Sequence, residues 1–256
     1  MIPKKQVKDN EAFKSAWQGI GDLIPRERVD ALVEQTVEEI KAFSMGKTVG
    51  YGWSGGKDSQ ALRGVMEAAG VNQCVLVRTD LEFPAFIQWM KENTPTGLQV
   101  INTGQDLPWL VKNLAMLFPR DAKLVAKWYR VVQHRGQERF FKEQGLDLLA
   151  LGRRHADGNY TGKDGVYINA RGITRWSPIR HWTHEEVLAF CHYQDMPLPP
   201  IYDWPRGWIV GTGPWAARTY TEDDEQGWSE TYIIDPSVVE GAAEHIPSAR
   251  EFLDNL

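Results

Sequence analysis

The ten-residue stretch YGWSGGKDSQ contains the residue types that bind and stabilise a negatively charged ligand. Gly55 and Gly56 allow the backbone to approach a ligand closely and to adopt positive φ. Ser54 and Ser59 carry hydroxyl donors, and Lys57 supplies a mobile positive charge. An apolar stretch precedes this segment and a helical pattern follows it, which predicts a strand, a glycine-rich turn and a helix. Such a turn directs backbone N–H groups at an anion, and the helix N-terminus adds about half a positive charge.

Three interpretations of this loop stay open on the residues alone. A Walker A motif is not among them, because an aspartate follows the lysine and a tyrosine stands five residues before Gly56. Gly50, Gly52 and Gly55 satisfy the dinucleotide pattern Gly-x-Gly-x-x-Gly, but that interpretation leaves the Lys-Asp-Ser run without a role. A tight βα turn with a capping aspartate needs only one or two of these residues. An anion-binding loop uses all of them, with the lysine opposing charge that develops on a leaving group.

The elements around the loop are predicted to alternate between strands and helices. Apolar positions at intervals of three and four predict helices over residues 28–43, 58–69, 84–90, 107–117 and 123–144. Compact apolar runs predict strands at KTVGYGW, CVLVRTD, LQVINT and LDLLALG. This alternation predicts an α/β fold with a doubly wound, mostly parallel sheet.

The pattern changes after Gly152. Turn residues between short β-prone runs predict a hairpin, and Thr183 with Glu186 predicts a capping box at the start of a helix. From Pro197 onward proline, glycine, tryptophan and tyrosine dominate, which predicts an irregular but ordered C-terminal region.

Composition and charge narrow the class of protein. The chain has 256 residues, 25% of them charged, and a net charge of -5, as in an ordinary globular protein. This mild acidity disfavours broad nucleic-acid binding but leaves a local basic patch open. The run KWYRVVQHR is basic and aromatic, and a solvated helix face accounts for Lys127, Arg130 and Arg135. The two cysteines, Cys74 and Cys191, are far apart, so a disulfide framework or a zinc cluster is not expected.

The motif SGGKDS, Ser54 to Ser59, resembles the PP-loop of the ATP pyrophosphatases, also called adenine nucleotide α-hydrolases. TDLEFP, Thr79 to Pro84, is similar to the segment after the second strand in phosphoadenosine phosphosulfate (PAPS) reductases. SPIRHWTHEEVLAFCHYQDMPLPPIYD, Ser177 to Asp203, resembles that group's P-I-x-x-W-T…P-x-x-P-x-Y-D segment. GRRHADG stands where those proteins carry a Gly-x-Arg stretch. The matched pieces extend over about residues 50–220.

This resemblance implies an enzyme that binds ATP with Mg²⁺ and cleaves it between the α and β phosphates. It implies transfer of AMP to an acceptor and release of pyrophosphate; a non-catalytic nucleotide-binding module is the alternative. PAPS reductases instead attack a sulfonucleotide with a cysteine near the C-terminus. Here no cysteine follows Cys191, and Trp215 stands where one is expected. Sulfonucleotide reduction is therefore the weakest of the three functions, and no iron–sulfur cluster is expected.

The predicted site residues combine the loop with side chains near strand ends. The residues predicted to be catalytic are Lys57, Ser54 and Arg153. Those predicted to bind the nucleotide are Ser54, Gly55, Gly56, Lys57, Asp58, Ser59, Asp80, Glu82 and Arg154. Asp58 is either the first-turn acid of its helix or a Mg²⁺ ligand. Asp80 or Glu82 either binds a ribose hydroxyl or caps a loop, and the arginine pair after Gly152 either binds an oxyanion or lies on the surface.

Side chains beyond residue 170 leave further alternatives open. His181 and His184 have the spacing of a metal pair, but no cysteine completes the set. Cys191 is expected to be buried in apolar packing. At least one of three arginines in the hairpin region is expected to reach the site: Arg171, Arg175 or Arg180. Three tryptophans either line the binding site of a nucleobase or anchor loops: Trp204, Trp208 and Trp215.

Domain organisation and partners follow from the same resemblance. The chain is predicted to comprise an N-terminal helical segment (1–46), a PP-loop nucleotide-binding core (47–152) and a substrate-side region (153–256), in one structural domain. The expected partners are a small-molecule nucleotide and an unidentified acceptor; a homodimer stays open, and nucleic acid is not favoured. The N-terminus lacks the apolar run of a signal peptide and no stretch reaches 18 apolar residues, so no membrane partner and a cytoplasmic location are expected.

Overall fold

The structure is a computed structural model that describes residues 9–256. These residues form two compact units. The first unit comprises residues 9–76, 93–100 and 137–199, and the second comprises residues 77–92, 101–136 and 200–256. The three segments proposed from the sequence stay a prediction about domain boundaries, and residues 1–8 of the first segment lie outside the described residues.

Six short strands form one sheet. The strands are β1 (Val49–Gly52), β2 (Cys74–Arg78), β3 (Leu98–Asn102), β4 (Leu148–Ala150), β5 (Val166–Ile168) and β6 (Thr174–Trp176). Their order is β3-β2-β1-β4-β6-β5. β1 pairs in parallel with β2 and with β4, and Tyr51 lies opposite both Cys74 and Ala150. β4 and β6 are also parallel, whereas β5 and β6 form the predicted antiparallel hairpin. The predicted α/β fold with a mostly parallel sheet is confirmed.

Thirteen α-helices accompany these strands in residues 9–256. In chain order they are α1 (Asn10–Gln18), α2 (Ile20–Leu23), α3 (Arg26–Ser44), α4 (Lys57–Ala68), α5 (Pro84–Glu92), α6 (Leu107–Val111), α7 (Ala122–Tyr129), α8 (Arg135–Glu143), α9 (His184–Tyr193), α10 (Gly207–Val210), α11 (Asp224–Ile234), α12 (Pro236–Ala243) and α13 (Pro247–Asp254). A π-helical turn, Arg130–His134, joins α7 to α8 within the helix predicted over 123–144. No helix in the described range is both long enough and apolar enough to cross a membrane.

Local sequence signals explain where two helices of the first unit, α1 and α9, begin. Asp9 caps α1, its Oδ1 accepting from the backbone N–H groups of Glu11 and Ala12 at 3.0 and 3.2 Å. The capping box at α9 is confirmed, because Glu186 N donates to Thr183 Oγ1 at 3.1 Å and Thr183 N donates to Glu186 Oε2 at 2.9 Å. Both helices therefore satisfy their first N–H groups with side-chain oxygens.

The C-terminal region departs from the irregular structure predicted for it. Residues 224–254 form three helices, α11 to α13. Asp223 caps α11 by accepting from Gln226 N at 2.8 Å, and Asp235 followed by Pro236 begins α12. The prediction was wrong there because the dense prolines, glycines and tryptophans of residues 197–221 obscured these later start signals. Packing also stabilises α11, since Trp228 is fully buried with its ring centroid 4.9 Å from that of Phe118.

Candidate anion-binding site

The predicted loop lies in the first unit, where β1 ends and α4 begins. Gly55 has φ +76°, a conformation that favours glycine, and Gly56 is the N-cap residue of α4. Since glycine has no side chain, no N-cap side chain bonds to the first N–H groups of α4. Tyr51 in β1 and Leu62 in α4 are fully buried, which fixes the two elements that hold the loop. The loop thus presents the start of a 12-residue helix, as an anion site requires.

Hydrogen bonds of the two loop serines stabilise the conformation of the turn. Ser59 Oγ accepts from Ser54 N at 3.1 Å and lies 3.2 Å from Ser54 Oγ. It also donates to Gly56 O at 2.8 Å. Ser59 is buried and Ser54 is half-buried. The role predicted for them in binding a ligand stays a prediction, beside this observed role within the loop.

Lys57 is held in place by the protein, whereas the sequence indicated a mobile charge. Its side chain is only 8% exposed, and Nζ lies 2.8 Å from Asp58 Oδ2. Nζ also lies 5.6 Å from the ring centroid of Phe13 in α1. Because the ammonium group is fixed at the first residue of α4, its charge adds to that of the helix N-terminus.

Asp58 is paired with a second cation, Arg154. Arg154 is fully buried, and its Nη2 lies 2.6 Å from Asp58 Oδ1 and 2.9 Å from Asp157 Oδ1. Its Nη1 donates to Trp182 O at 3.2 Å. Burial acts to raise the pKa of Asp58, but the charges of Arg154 and Lys57 outweigh it and hold that pKa at about 2. Asp58 is therefore ionised at neutral pH.

A glycine lets these two charged residues meet. Gly152 follows β4, and a Cβ atom there would lie 2.9 Å from the backbone oxygen of Asp58. Any larger residue at position 152 would push the chain that leads to Arg154 away from the start of α4. The close packing of this segment against the start of α4 therefore explains why a glycine ends the fourth predicted strand. Arg153, between Gly152 and Arg154, is half-buried, and its catalytic role stays a prediction.

His184 completes the network around Arg154. Its Nδ1 lies 3.1 Å from Arg154 Nη2, and since arginine only donates, Nδ1 accepts this bond. Burial, together with the charges of Arg154 and Lys57, lowers the pKa of His184 to about 4, so the imidazole is neutral at pH 7. We name the set Lys57, Asp58, Arg154, Asp157 and His184 the ion network.

The sequence did not predict two members of this network. Asp157 follows Arg154 by three residues, and this short spacing is the sequence feature that could have predicted their ion pair. His184 is the first residue of α9 and is distant along the chain from both arginine and aspartate. It does not pair with His181, which is exposed and packs edge-on against His155 with ring centroids 5.0 Å apart. Among residues 9–256 no group of three His, Cys, Asp or Glu side chains could hold a metal ion.

Two predicted nucleotide-binding acids lie in the second unit. Asp80 Oδ1 accepts from Asn102 Nδ2 at 2.6 Å. Glu82 Oε1 accepts from the backbone N–H and the hydroxyl of Thr79, each at 3.2 Å, which is the loop-capping alternative. Its Oε2 is buried without a hydrogen-bond partner among the described residues, and burial raises the pKa of Glu82 to about 7. Ribose binding by either acid stays a prediction.

Both cysteines are buried, as expected for Cys191. Cys191 Sγ lies 3.7 Å from Lys57 O, and burial raises its pKa to about 12. Burial raises the pKa of Cys74 to about 11. Because the thiolate is the nucleophilic form, neither thiol is poised for attack at neutral pH.

The remaining candidates bind other protein groups. Arg171 pairs with Glu138, Arg180 Nη1 lies 2.6 Å from Glu39 Oε1, and Arg175 Nη2 donates to Gln137 Oε1 at 2.9 Å. The three tryptophans considered as base-binding candidates, all in the second unit, each pack on another ring. The centroid pairs are Trp204–Phe83 at 4.8 Å, Trp208–Tyr202 at 4.3 Å and Trp215–Trp228 at 5.8 Å. These contacts favour the interpretation that the tryptophans anchor loops, and a role for one of the arginines in the site stays a prediction.

Comparison with known proteins identifies relatives of this chain. The family model described as the phosphoadenosine phosphosulfate reductase domain matches residues 48–205, more than half of the chain. An adenosine 5'-phosphosulfate reductase of Deinococcus radiodurans is 31% identical over 100 residues, which cover 33% of this chain and 39% of that protein. The match thus spans about two fifths of the length of that relative.

Two solved structures resemble the chain at 14% sequence identity. One is a crystal structure of the PAPS reductase from Candida auris in a phosphate complex, with a TM-score of 0.53, covering 75% of this chain and 96% of that one. The other is the U34-tRNA thiolase NcsA from Methanococcus maripaludis with its 4Fe-4S cluster, with a TM-score of 0.44, covering 96% of this chain and 81% of that one. The first likeness supports the α/β fold described above.

The cofactor prediction is contradicted by these comparisons. It named ATP and Mg²⁺ and excluded an iron–sulfur cluster, whereas the thiolase carries a 4Fe-4S cluster and none of the three relatives is named with ATP or magnesium. Such a cluster takes four ligands, usually cysteine thiolates. Cys74 and Cys191 are the two cysteines of the sequence, and both are buried. The two cysteines by themselves do not supply the four ligands of such a cluster.

Proposed function

The chain belongs to the phosphoadenosine phosphosulfate reductase domain family. On this basis we propose that it is an enzyme that binds an adenine nucleotide, with the phosphate or sulfate group of that nucleotide held by the loop of residues 54–59. The observation that carries this proposal is the fixed, buried Lys57 at the start of α4, next to a glycine N-cap. The named activities of two relatives, both sulfonucleotide reductases, add support.

The ion network determines how the loop acts on an anion. Arg154 is buried against protein acceptors, so its role is to fix Asp58, and Asp58 in turn fixes the Lys57 ammonium. With His184 neutral, the charges of the two cations and the two carboxylates cancel. The positive potential toward a ligand therefore comes from the N–H groups of the loop and α4, with Lys57 as the nearest full charge.

The reaction we propose is adenylyl transfer. An acceptor oxygen attacks the α-phosphorus, a new bond forms there, and the bond to the bridging oxygen breaks. The electron pair and the negative charge pass to the leaving anion, sulfate or a phosphate chain, and the loop opposes that charge as it develops. This proposal avoids the thiol chemistry for which Cys74 and Cys191, with pKa values raised by burial to about 11 and 12, are unsuited.

Ligand binding is tested by the melting temperature in the presence of adenosine 5'-phosphosulfate, 3'-phosphoadenosine 5'-phosphosulfate, AMP or sulfate. A ligand at 100 times its Kd stabilises the fold by about 2.7 kcal/mol, so the sulfonucleotides should raise the melting temperature measurably. Lys57→Met should weaken binding, whereas Lys41→Met, at an exposed position of α3, serves as the matched control. Equal shifts for both variants, or no shift with any sulfonucleotide, would contradict the proposed site.

The reaction product distinguishes adenylyl transfer from sulfonucleotide reduction. Incubation of adenosine 5'-phosphosulfate with acceptors in a cell extract should release sulfate and form an adenylylated product. Reduction would instead release sulfite and need a thiol. The double variant Cys74→Ala, Cys191→Ala should retain the activity; sulfite as product, lost in this variant while nucleotide binding persists, would refute adenylyl transfer and restore the reductase.

A further inference from the structure

A segment of the second unit is strongly basic although the chain as a whole is acidic. Residues 122–136 contain no aspartate or glutamate, while the net charge of the protein is -5. Within this segment lie four lysine or arginine residues and one histidine: Lys123, Lys127, Arg130, Arg135 and His134. The proposed nucleotide site, which lies in the first unit, does not use them.

Four of these residues share one side of the helix. Lys123, Lys127, Arg130 and His134 follow one another at intervals of four, three and four residues, the spacing that places side chains above each other on a helix. We name these four residues the basic face. At 1.5 Å per residue its part from Lys123 to Arg130 extends over about 10 Å, and the π-helical turn continues it to His134. Lys123 and Arg130 are exposed, and the other two are half-buried.

The opposite side of the same helix anchors it in the second unit. Trp128 and Val132 are buried. The Trp128 indole Nε1 donates to Met116 O at 2.7 Å, and its ring centroid lies 5.4 Å from that of Trp109. The apolar side is therefore occupied by the core, so the basic face is held in place and the helix has no free apolar side for insertion into a membrane surface.

Carboxylates do not neutralise the lysine and arginine side chains of this face. Asp121, next in the chain, is engaged as the N-cap of α7, its Oδ1 accepting from the backbone N–H groups of Lys123 and Leu124 at 2.7 and 2.9 Å. Arg120 already pairs with Asp224. Within residues 9–256, Lys123, Lys127 and Arg130 form no ion pair, in contrast to the paired cations Arg139 and Lys142 of α8.

We propose that the basic face binds the phosphate backbone of a single-stranded nucleic acid. Lysine and arginine side chains without carboxylate partners, in a row on a fixed helix, suit the repeated charges of such a strand, which releases counterions when it binds. Tyr129 precedes Arg130, about 100° around the helix from it, and is 55% exposed, so it supplies an aromatic surface beside the basic face on which a base can stack. An exposed tyrosine beside the basic face favours a nucleic acid over an acidic protein, because a nucleobase can stack on its ring. The π-helical turn at Arg130–His134 fits a functional segment, since such turns are frequent at functional sites.

The test measures the fluorescence anisotropy of a fluorescein-labelled oligouridylate, about 20 nucleotides long, titrated with the full chain at several salt concentrations. Three phosphate contacts predict a slope of log K against log salt of about -2. The triple variant Lys123→Gln, Lys127→Gln, Arg130→Gln should lose most of the binding and of the slope. The matched control Lys14→Gln, Lys41→Gln, Lys163→Gln removes the same charge from exposed positions of the first unit and should leave both unchanged.

Several outcomes would overturn the proposal. These are the absence of binding by the wild type at about 50 mM salt, equal loss in the two triple variants, and competition by polyglutamate as effective as by unlabelled oligouridylate. Circular dichroism establishes that the variants are folded. Sulfonucleotide stabilisation should persist in the basic-face variant, so failure of the nucleic-acid proposal and failure of the proposed enzyme function give different results.

Discussion

Replacing Arg154 by methionine tests whether the ion network holds the candidate site together. Arg154 is fully buried and lies 2.6 Å from Asp58 Oδ1 and 2.9 Å from Asp157 Oδ1. Methionine keeps an unbranched apolar side chain and removes the charge. The variant leaves two carboxylates near the start of α4 with a single cation, Lys57, whose Nζ lies 2.8 Å from Asp58 Oδ2.

The expected loss of stability follows from this imbalance. Removing one partner of a buried ion pair typically costs about 3–5 kcal/mol. Asp58 keeps Lys57 as a partner and its side chain is 31% exposed, so we expect the lower end, about 3 kcal/mol. A pH effect accompanies it. The folded pKa of Asp58, about 2, lies below its ordinary value of 3.8, so the pairing contributes stability above about pH 4 that is lost as pH falls toward 2.

Urea unfolding, followed by tryptophan fluorescence between about pH 7 and pH 3, measures both effects. Arg154→Met should unfold at lower urea and show a smaller loss of stability at the acidic end of this range than the wild type. Arg26→Met is the matched control, because Arg26 makes an exposed 3.7 Å pair with Asp30 on α3 and such pairs contribute under about 1 kcal/mol. Arg154→Lys, which keeps the charge, should fall between them. A loss below about 1 kcal/mol for Arg154→Met would refute the view that this pair holds the loop.

Two further predictions concern the buried acid and the thiols. Burial raises the pKa of Glu82 to about 7, above its ordinary value of 4.5, so the folded state binds more protons in this window and stability should fall as pH rises from about 4.5 to 7. Glu82→Gln should therefore raise the melting temperature relative to wild type at about pH 8 but not at about pH 4, while Asp80→Asn should do neither; an equal effect at both values would contradict burial as the cause. Cys74 and Cys191 should react with Ellman's reagent slowly in the native protein and rapidly in urea, because burial hides them and raises their pKa values. Fast native labelling of either cysteine would reopen the thiol mechanism.

Elements with strong local signals were predictable from the sequence. Apolar runs and intervals of three and four placed the first four strands, the hairpin and helix α3, because the side-chain period of each element is imposed by its own backbone. The capping box of α9 was predictable for the same reason, because its two residues are only three positions apart. The motif SGGKDS and its companion segments led to the family, since they are short and specific.

Other parts of the fold and site were decided by tertiary contacts. Residues 58, 154 and 184 are far apart in the chain, and only the adjacency of β1 and β4 in the sheet, with Gly152 at close range, brings Arg154 to Asp58. For this reason Arg154 is a buried partner of the loop aspartate, and the oxyanion-binding role expected for it stays a prediction.

The burial of Lys57 has the same origin. A sequence shows that a residue is charged and begins a helix, but its exposure depends on which other segments cover it. Here Phe13 in α1 and Asp58 leave its side chain 8% exposed. The motif alone therefore determined which residues form the loop, whereas the packing of distant segments decided that its lysine is fixed, because burial and ion pairing depend on neighbours that local periodicity does not encode.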